Sequence, residues 1–472
     1  MKVRFSALGL FVLTGCAVPK EAGFPDVARA VKERTGSVIR WNQGDEADAA
    51  ITQTVRALLA HDLQPADAVE VALLENSHMQ ATYEDLMVSQ ADLVQAGLLH
   101  NPTLSGGVGW LISAGTGTPS YRVGVEQDFL DLLMIPARQR VATAQFEATK
   151  LRVGSEVLGL AHDVRTAYYA LQGAQQIARM RQTILDSAQA SIELARRQHD
   201  AGNTSDLDLG NEEALYEQIR LDLARSEAET AITRERLDRL MGLWGADARW
   251  TIAPELSPIP AQEPPLEHLE SLAVKQRLDI GAARAAAQAS SQALAAARDF
   301  RWIGAAGVGA SLERDPEGRA VVGPTATLEL PLFDQRQADI ARREAELRRS
   351  LARLRATAVD ARSEVREARG RVLASRGVVD RYRTTIIPLR EHLVALSQQS
   401  YDAMLLGVYQ LLAAKQAEVN AYREYIEAVR DYWIARVDLE RAIGGRLGNE
   451  PTSAPVTSNA SPAVTPSHVH TH

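Results

Sequence analysis

Residues 121–129, Tyr-Arg-Val-Gly-Val-Glu-Gln-Asp-Phe, alternate between two kinds of side chain. The odd-numbered positions are apolar apart from Gln127, and the even-numbered positions are polar or glycine. Successive side chains of a strand point to opposite faces, so this alternation predicts a β-strand with one apolar and one polar face. The segment around it is therefore predicted to be a strand over residues 121–131.

Three further segments have a related pattern, and they predict strands over residues 103–113, 301–312 and 321–332. The segments are 11 or 12 residues long, enough to contain the roughly 9 to 11 residues of a strand in an outer-membrane barrel wall, and they have its dyad pattern. After residue 15, no window has the roughly 18 uninterrupted apolar residues that a membrane helix needs. A membrane-spanning part of this chain is therefore expected to consist of strands.

Four strands in one chain cannot close a barrel, and an open sheet edge in lipid leaves backbone groups unpaired. Two chains would supply eight strands and three chains twelve, so the pattern predicts an oligomer. An alternative is a pair of water-soluble hairpins that cap a coiled coil, because short amphipathic strands are common.

The helical patterns repeat along the chain, which indicates a tandem duplication. The first repeat, 66–242, has a helix over 66–99, the two strands, a long helix over 135–200 and a helix over 204–242. The second repeat, 266–445, has a helix over 266–299, two strands, a long helix over 335–402 and a helix over 408–443. Matching landmarks are the pairs Asp131 with Asp334, Asp163 with Glu364, Gly202 with Gly407, and Gly242 with Gly444.

Helix length gives each repeat its shape. A helix of about 66 residues is about 100 Å long, and the two shorter helices of a repeat sum to nearly the same length. Each repeat is thus expected to supply two helical columns, and one chain four.

Pro388 is expected to kink the second long helix. The Pro-rich connector 243–265 separates the repeats, and the Pro/Ser/Thr-rich tail 446–472 is expected to be disordered.

The N-terminus has the pattern of a secretion signal. Lys2 and Arg4 precede an apolar stretch of about nine residues, and Leu13-Thr14-Gly15-Cys16 follows it. These four residues resemble the lipobox of bacterial lipoproteins, which implies cleavage of a signal peptide 1–15 and acylation of Cys16. Residues 16–65 are then an N-terminal anchor segment, and Ala17 in place of Asp implies sorting to the outer membrane. The alternative is an ordinary secretory signal with a buried cysteine.

Composition excludes several classes of function. The chain has 472 residues and one cysteine, which excludes an internal disulfide and any multi-thiolate metal site within one chain. The formal net charge of −8 argues against a nucleic-acid-binding surface. No phosphate-binding loop, nucleophile elbow or His-Glu-x-x-His motif is present. An enzyme is disfavoured and no cofactor is expected, because pairs such as His162-Asp163 lie on helical patterns without a nucleophile.

Residues 66–445 resemble the TolC family of outer-membrane efflux proteins. The resemblance rests on Asn101-Pro102, Asp279-Ile280, the run Pro331-Leu332-Phe333-Asp334 and Gly444-Gly445, with a minor departure at Leu278. It implies a mainly α-helical homotrimer with a 12-strand transmembrane barrel and a 12-helix periplasmic tunnel. It also implies an exit duct, without catalysis, for drugs or metal ions that an inner-membrane pump delivers through a periplasmic adaptor protein.

The same resemblance places the aperture and the adaptor contact at the two turns between the long and short helices. The candidates in the first turn are Gly202, Ser205, Asp206 and Asp208, and those in the second are Gly407 and Tyr409. Three chains would bring up to six aspartates near one axis, where they attract cations and repel one another. Alternatively, Asp206 is an N-cap or a solvated side chain. The second turn lacks the acidic residues usual in the family, so Tyr409 is expected to act sterically.

Two alternatives remain from the sequence. His468, His470 and His472 are weak candidates for a metal site on the tail, because neutral imidazole suits copper, zinc or nickel. The runner-up function is a membrane-tethered periplasmic coiled-coil adaptor or scaffold without a pore.

Overall fold

The described part of the chain is mainly helical and contains a four-stranded sheet. The computed structural model describes residues 18–44, 46–110, 119–302, 304–314 and 318–447. The signal peptide, Cys16 and the three tail histidines lie outside the described residues. The helices are α1 Phe24–Thr35, α2 Glu46–Leu59, α3 Pro65–Glu75, α4 Ser77–Ala96, α5 Leu130–Asp200, α6 Asp206–Met241, α7 Leu269–Gln276, α8 Leu278–Asp299, α9 Gln337–Arg381, α10 Ile387–Asp402 and α11 Val408–Ile443.

The described strands form two sheets. A short parallel pair consists of β1 Asp62–Leu63 and β4 Thr251–Ile252. The larger sheet is antiparallel in the order β2-β3-β5-β6, with β2 Thr103–Gly109, β3 Ser120–Asp128, β5 Ala306–Arg314 and β6 Ala320–Leu328. The β3–β5 pairing joins the two repeats, and β2 and β6 are the two edges of the sheet.

The sheet has the two faces that the sequence predicts. Val123 lies opposite Leu312, and Leu312 lies opposite Val322, so one face is apolar across three strands. These three side chains are exposed in the single chain. On the other face, Arg122 pairs with Glu313, with 2.8 Å between Nη2 and Oε1.

All four strands have bounds that differ from the predicted ones. The strand predicted over 121–131 ends at Asp128, because the Asp128 carboxylate accepts hydrogen bonds from the backbone N–H groups of Leu130 and Asp131 and starts α5. The strand predicted over 301–312 is shifted to 306–314, because the backbone N–H groups of Phe300 and Arg301 still bond to the end of α8. The other two span 103–109 and 320–328 instead of 103–113 and 321–332.

The helix before each strand pair is broken, which the sequence prediction missed. The helix predicted over 66–99 divides at Asn76, whose side chain caps α4 by accepting the backbone N–H of Met79. The helix predicted over 266–299 divides at Arg277, whose extended backbone ends α7. The two breaks occupy corresponding places before the two strand pairs, so the duplication extends to this detail.

Proline has different effects in the two long helices. The first was predicted to start at residue 135, next to Pro136, but α5 begins at Leu130 and contains Pro136. The second was predicted as one helix over 335–402, but a π-helical segment, Tyr382–Ile386, separates α9 from α10. Pro388 is the second residue of α10, two positions after that segment. Because proline lacks the N–H that an α-helical turn requires, the wider π turn is a physical response to it.

The N-terminal segment and the connector pack against the repeats. Val27 and Val31 of α1 belong to the same buried cluster as Val153 and Val157 of α5. The aromatic rings of Tyr169 on α5 and Trp433 on α11 stack with centroids 5.4 Å apart, which joins the repeats.

None of the helices in the described residues combines the length and the apolar character that a membrane-spanning helix needs.

Candidate functional site

The two helix-to-helix turns lie side by side, although some 200 residues separate them in sequence. The first turn connects α5 to α6, and the second connects α10 to α11. α5 has 71 residues and is therefore about 100 Å long, so its last turn is far from β3, which precedes its first. We call residues 199–211 and 400–410 together the helix tips.

Gly202 ends the first long helix. Its backbone has φ +76°, in the left-handed region that favours glycine, and its N–H bonds to the carbonyl of His199 at 2.8 Å. The N–H of Asn203 bonds to the carbonyl of Gln198 at 2.8 Å. This arrangement satisfies carbonyl groups at the end of α5 and reverses the chain.

Ser205 and Asp208 start α6. The hydroxyl of Ser205 accepts the backbone N–H of Asp208 at 3.2 Å and donates to the Asp208 carboxylate at 2.7 Å. Ser205 is therefore the N-cap, and the interpretation of Asp206 as N-cap is wrong. The side chain of Asp206 is 98% exposed, as a solvated residue should be, and its carboxylate lies 2.7 Å from Nε2 of His199.

Tyr409 connects the two turns. Its hydroxyl donates to Oδ1 of Asp208 at 2.6 Å and accepts from the amide of Asn211 at 3.0 Å. The hydrogen bond from Tyr409 is the main reason that the pKa of Asp208 lies below its usual value. The same bond raises the pKa of Tyr409. Tyr409 thus holds the turns together by a charge-assisted hydrogen bond in addition to the steric role that its size predicts.

Gly407 does not correspond to Gly202, so this part of the predicted repeat alignment is wrong. Gly407 is the N-cap of α11, the position that Ser205 has in α6. The counterpart of Gly202 is Met404, which has φ +59° and whose N–H bonds to the carbonyl of Tyr401 at 2.9 Å. Gln410 completes the second cap by accepting the N–H of Gly407 at 2.9 Å.

The helix tips also expose large apolar side chains. Met404 is 94% exposed, Leu405 82% and Leu207 74%. Exposed apolar groups next to carboxylates form a surface suited to contact with another protein. Sequence reasoning missed Met404, Leu405 and Asn211, and only the apolar run at Met404–Leu406 offered a signal for the first two.

No metal centre is evident at the tips. Among the residues that the structure describes, no group of three or more His, Cys, Asp or Glu side chains is arranged to hold a metal ion. The aspartates of one chain are instead occupied by the capping hydroxyl, the tyrosine and the histidine. The tail histidines proposed as weak metal ligands are outside the described part of the chain.

The first repeat and the fold are similar to those of known proteins. Residues 68–243, the first repeat, match the family model of the outer membrane efflux proteins. No curated protein matches the chain.

Solved structures have the same fold over most of the chain. A membrane protein from Pseudomonas aeruginosa is 21% identical, with a TM-score of 0.71 over 80% of this chain and 92% of its own. The Campylobacter jejuni CmeC outer membrane channel is 15% identical, with a TM-score of 0.66 over 95% and 94%. The open state of the Neisseria gonorrhoeae MtrE outer membrane channel is 17% identical, with a TM-score of 0.59 over 84% and 89%.

Residues 68–243 thus match the outer membrane efflux proteins, and the chain as a whole has the fold of the outer membrane channels to which it is similar. The predicted mainly helical fold with strands, the function as an efflux channel and the location in the outer membrane with an extension into the periplasm are confirmed. The trimeric 12-strand barrel and the 12-helix tunnel stay predictions. The alternatives of soluble hairpins and of a scaffold without a pore are therefore not adopted.

Proposed function

We propose that three copies of this chain form one continuous conduit, with a 12-strand barrel in the outer membrane and a 12-helix tunnel below it. The observation that carries the proposal is the sheet β2-β3-β5-β6, which has two edges and one apolar exposed face. Backbone groups at an open edge cannot be satisfied in lipid, so β2 of one copy must pair with β6 of another. Each chain supplies four strands and four helical columns. The 12-strand barrel and the 12-helix tunnel therefore both need three copies.

The conduit acts as a passive exit duct rather than as an enzyme. The family is one of channel proteins, which supports this assignment. We propose that an inner-membrane pump delivers drugs or metal ions to it and that a periplasmic adaptor protein joins pump and duct. The helix tips are the proposed adaptor contact, because they combine exposed apolar side chains with the exposed carboxylate of Asp206.

The aperture is proposed to lie at the same tips. Gly202 and Gly407 permit the reversal and the close capping of the chain, and the contact between Asp208 and Tyr409 holds the two turns of one subunit together. A conduit that narrows at this end changes its conductance when the contact is lost. Asp206 and Asp208 are the acidic residues of the proposed aperture, and Ser205 caps the helix that carries both.

We also propose that Cys16 is acylated after removal of residues 1–15, which anchors each subunit by its N-terminus. Labelling of cells with a radioactive fatty acid tests this proposal directly. Wild-type protein should carry the label and Cys16→Ser should not. Label in both proteins would contradict the assignment of Cys16.

Bilayer recordings test the conduit itself. Purified protein in a planar bilayer should give discrete conductance steps, whereas a scaffold without a pore gives none. Capture of the protein from membranes after mild cross-linking should also retain an adaptor. Absence of conductance from correctly assembled protein, together with absence of an adaptor, would contradict the proposed function.

A further inference from the structure

A cavity of about 660 Å³ lies between α5 and α11, distant from the helix tips. Its size is typical of small-molecule sites, which usually measure about 300 to 1,000 Å³. Much of its wall is apolar and rigid, with aromatic rings and prolines from four separate parts of the chain. The apolar wall consists of Val69, Leu158, Tyr169, Pro258, Trp433 and Val437.

Arginines with few carboxylate partners form the polar side of this cavity. Arg34 donates to the backbone carbonyls of Ala30 and Gln276, and no carboxylate of the described residues lies within ion-pair distance of it. Arg446 is an exposed residue that approaches Gly36, and it also has no carboxylate of the described residues within ion-pair distance. Arg441 is 3.8 Å from Asp163, a long distance for an ion pair, and its Nη1 lies 3.3 Å from Nδ1 of His162.

The acidic groups of the wall are already neutralised. Asp279 lies 2.7 Å from Arg277, and Glu440 bonds to Arg165. His162 lies between Asp163 at 2.9 Å and Asp438 at 2.7 Å. Both aspartates are thereby engaged by the two ring nitrogens of His162, so the positive charges of Arg34 and Arg446 stay without a carboxylate partner among the described residues.

Gly159 has no side chain to cover its part of the cavity wall. It is near the middle of α5 and lines the cavity, and a Cβ placed on it would meet nothing within 4 Å. Glycine in the interior of a helix destabilises it relative to almost any other residue except proline. The missing side chain leaves room in the cavity that a larger residue would fill.

We propose that this cavity binds an anionic single-chain amphiphile, with its acidic head group at Arg34, Arg441 and Arg446 and its hydrocarbon chain along Leu158 and Trp433. An inorganic anion would leave the apolar wall uncovered. An uncharged chain would leave Arg34 and Arg446 without a carboxylate partner. The proposal goes beyond the efflux duct, because the site lies between the two repeats of one chain and does not depend on cargo or adaptor.

Titration calorimetry of the full-length protein in a neutral maltoside detergent tests the proposal, with decanoate as the probe. Inorganic phosphate represents the head group alone and decanol the chain alone, and detergent without protein supplies the background. Decanoate should bind with one site per chain and at least about tenfold more tightly than either fragment. Phosphate binding as tight as that of decanoate would overturn the assignment of an amphiphile.

Two matched pairs of variants localise the binding. Arg441→Gln should weaken decanoate binding by about tenfold or more, because it removes a charge-assisted hydrogen bond, while Arg29→Gln on the outer side of α1 should leave it unchanged. Gly159→Leu should abolish binding by filling the cavity, whereas Gly370→Leu, at another open helical glycine, should not. Both leucine substitutions favour the helix, so loss of folding does not mimic the result. Unchanged binding in Arg441→Gln or in Gly159→Leu would overturn the proposal.

Discussion

The hydroxyl of Tyr409 lies 2.6 Å from Oδ1 of Asp208, and this hydrogen bond joins the two turns of the helix tips. Tyr409 lies two positions after the N-cap of α11, and Asp208 lies three positions after the N-cap of α6. The contact is therefore set by the packing of the two hairpins and not by either turn alone. It is the part of the tips that most directly bears on how closely the turns approach.

Replacement of Tyr409 by Phe tests whether this contact restrains the aperture. The substitution keeps the ring and removes the hydroxyl, so the turns lose their direct link and the time-averaged conductance in planar bilayers should rise. Tyr401→Phe is the matched control, because it removes a hydroxyl from the same tips without touching Asp208. Equal conductance in the wild type and Tyr409→Phe would show that the contact does not restrain the aperture.

The same contact should be insensitive to pH over a wide range. The pKa of Asp208 is lowered, so its contribution is present above the usual aspartate value and is lost only as pH falls through the lowered pKa. The pKa of Tyr409 is raised, so its contribution is present below the usual tyrosine value and is lost as pH rises through the raised pKa.

The conductance ratio of Tyr409→Phe to wild type should thus stay constant from about pH 5 to about pH 9. It should change only when acid protonates Asp208 or alkali deprotonates Tyr409. A ratio that already falls to one near pH 6 would contradict the lowered pKa of Asp208.

Met404 is strained relative to its counterpart Gly202. A side chain in the left-handed region costs roughly 1 to 2 kcal/mol, and Met404 has φ +59°. Met404→Gly should therefore stabilise the second turn by about 1 kcal/mol, less the extra entropy of glycine in the unfolded chain. Amide hydrogen exchange at Leu405 should slow by about fivefold, whereas Leu405→Gly should speed local exchange. Faster exchange in Met404→Gly would contradict the assignment of strain.

Neighbouring positions on the two faces of the sheet should respond differently to charge. Val123 and Leu312 lie opposite each other on the apolar face. Ser311 precedes Leu312 in the strand and therefore lies on the polar face. Val123→Arg should cost about 2 to 4 kcal/mol per chain if it faces the middle of the bilayer, while Ser311→Arg should cost far less. The fraction of assembled oligomer on unheated gels measures the effect of each substitution. Equal yields from the two variants would contradict a lipid-facing apolar side.

Local patterns predicted the elements well because they depend on neighbours in sequence. The alternation over 121–129 and the length of the helical runs each have a local cause, and the structure contains the corresponding strands and helices. The breaks at Asn76 and Arg277 were missed because each residue is compatible with a helix interior. A side-chain cap at Asn76 and ion pairs of Arg277 with Asp279 and Glu364 stabilise the breaks instead.

The candidate site was predicted less completely because its contacts are long-range. The sequence indicated the two turns and the residue Tyr409, but the hydrogen bond to Asp208 connects residues that only the packed hairpins bring together. Matching Gly202 to Gly407 was reasonable from residue type alone. Backbone angles, however, assign the left-handed position to Met404, a residue that rarely adopts it.

The mass of the protein extracted in detergent tests the central claim most directly. Native mass spectrometry of the full-length protein should give three times the mass of one mature chain, because β2 and β6 must pair between copies. A lone chain, or a dimer that stays intact while its sheet edges exchange amide hydrogens freely, would contradict the shared barrel and the conduit built on it.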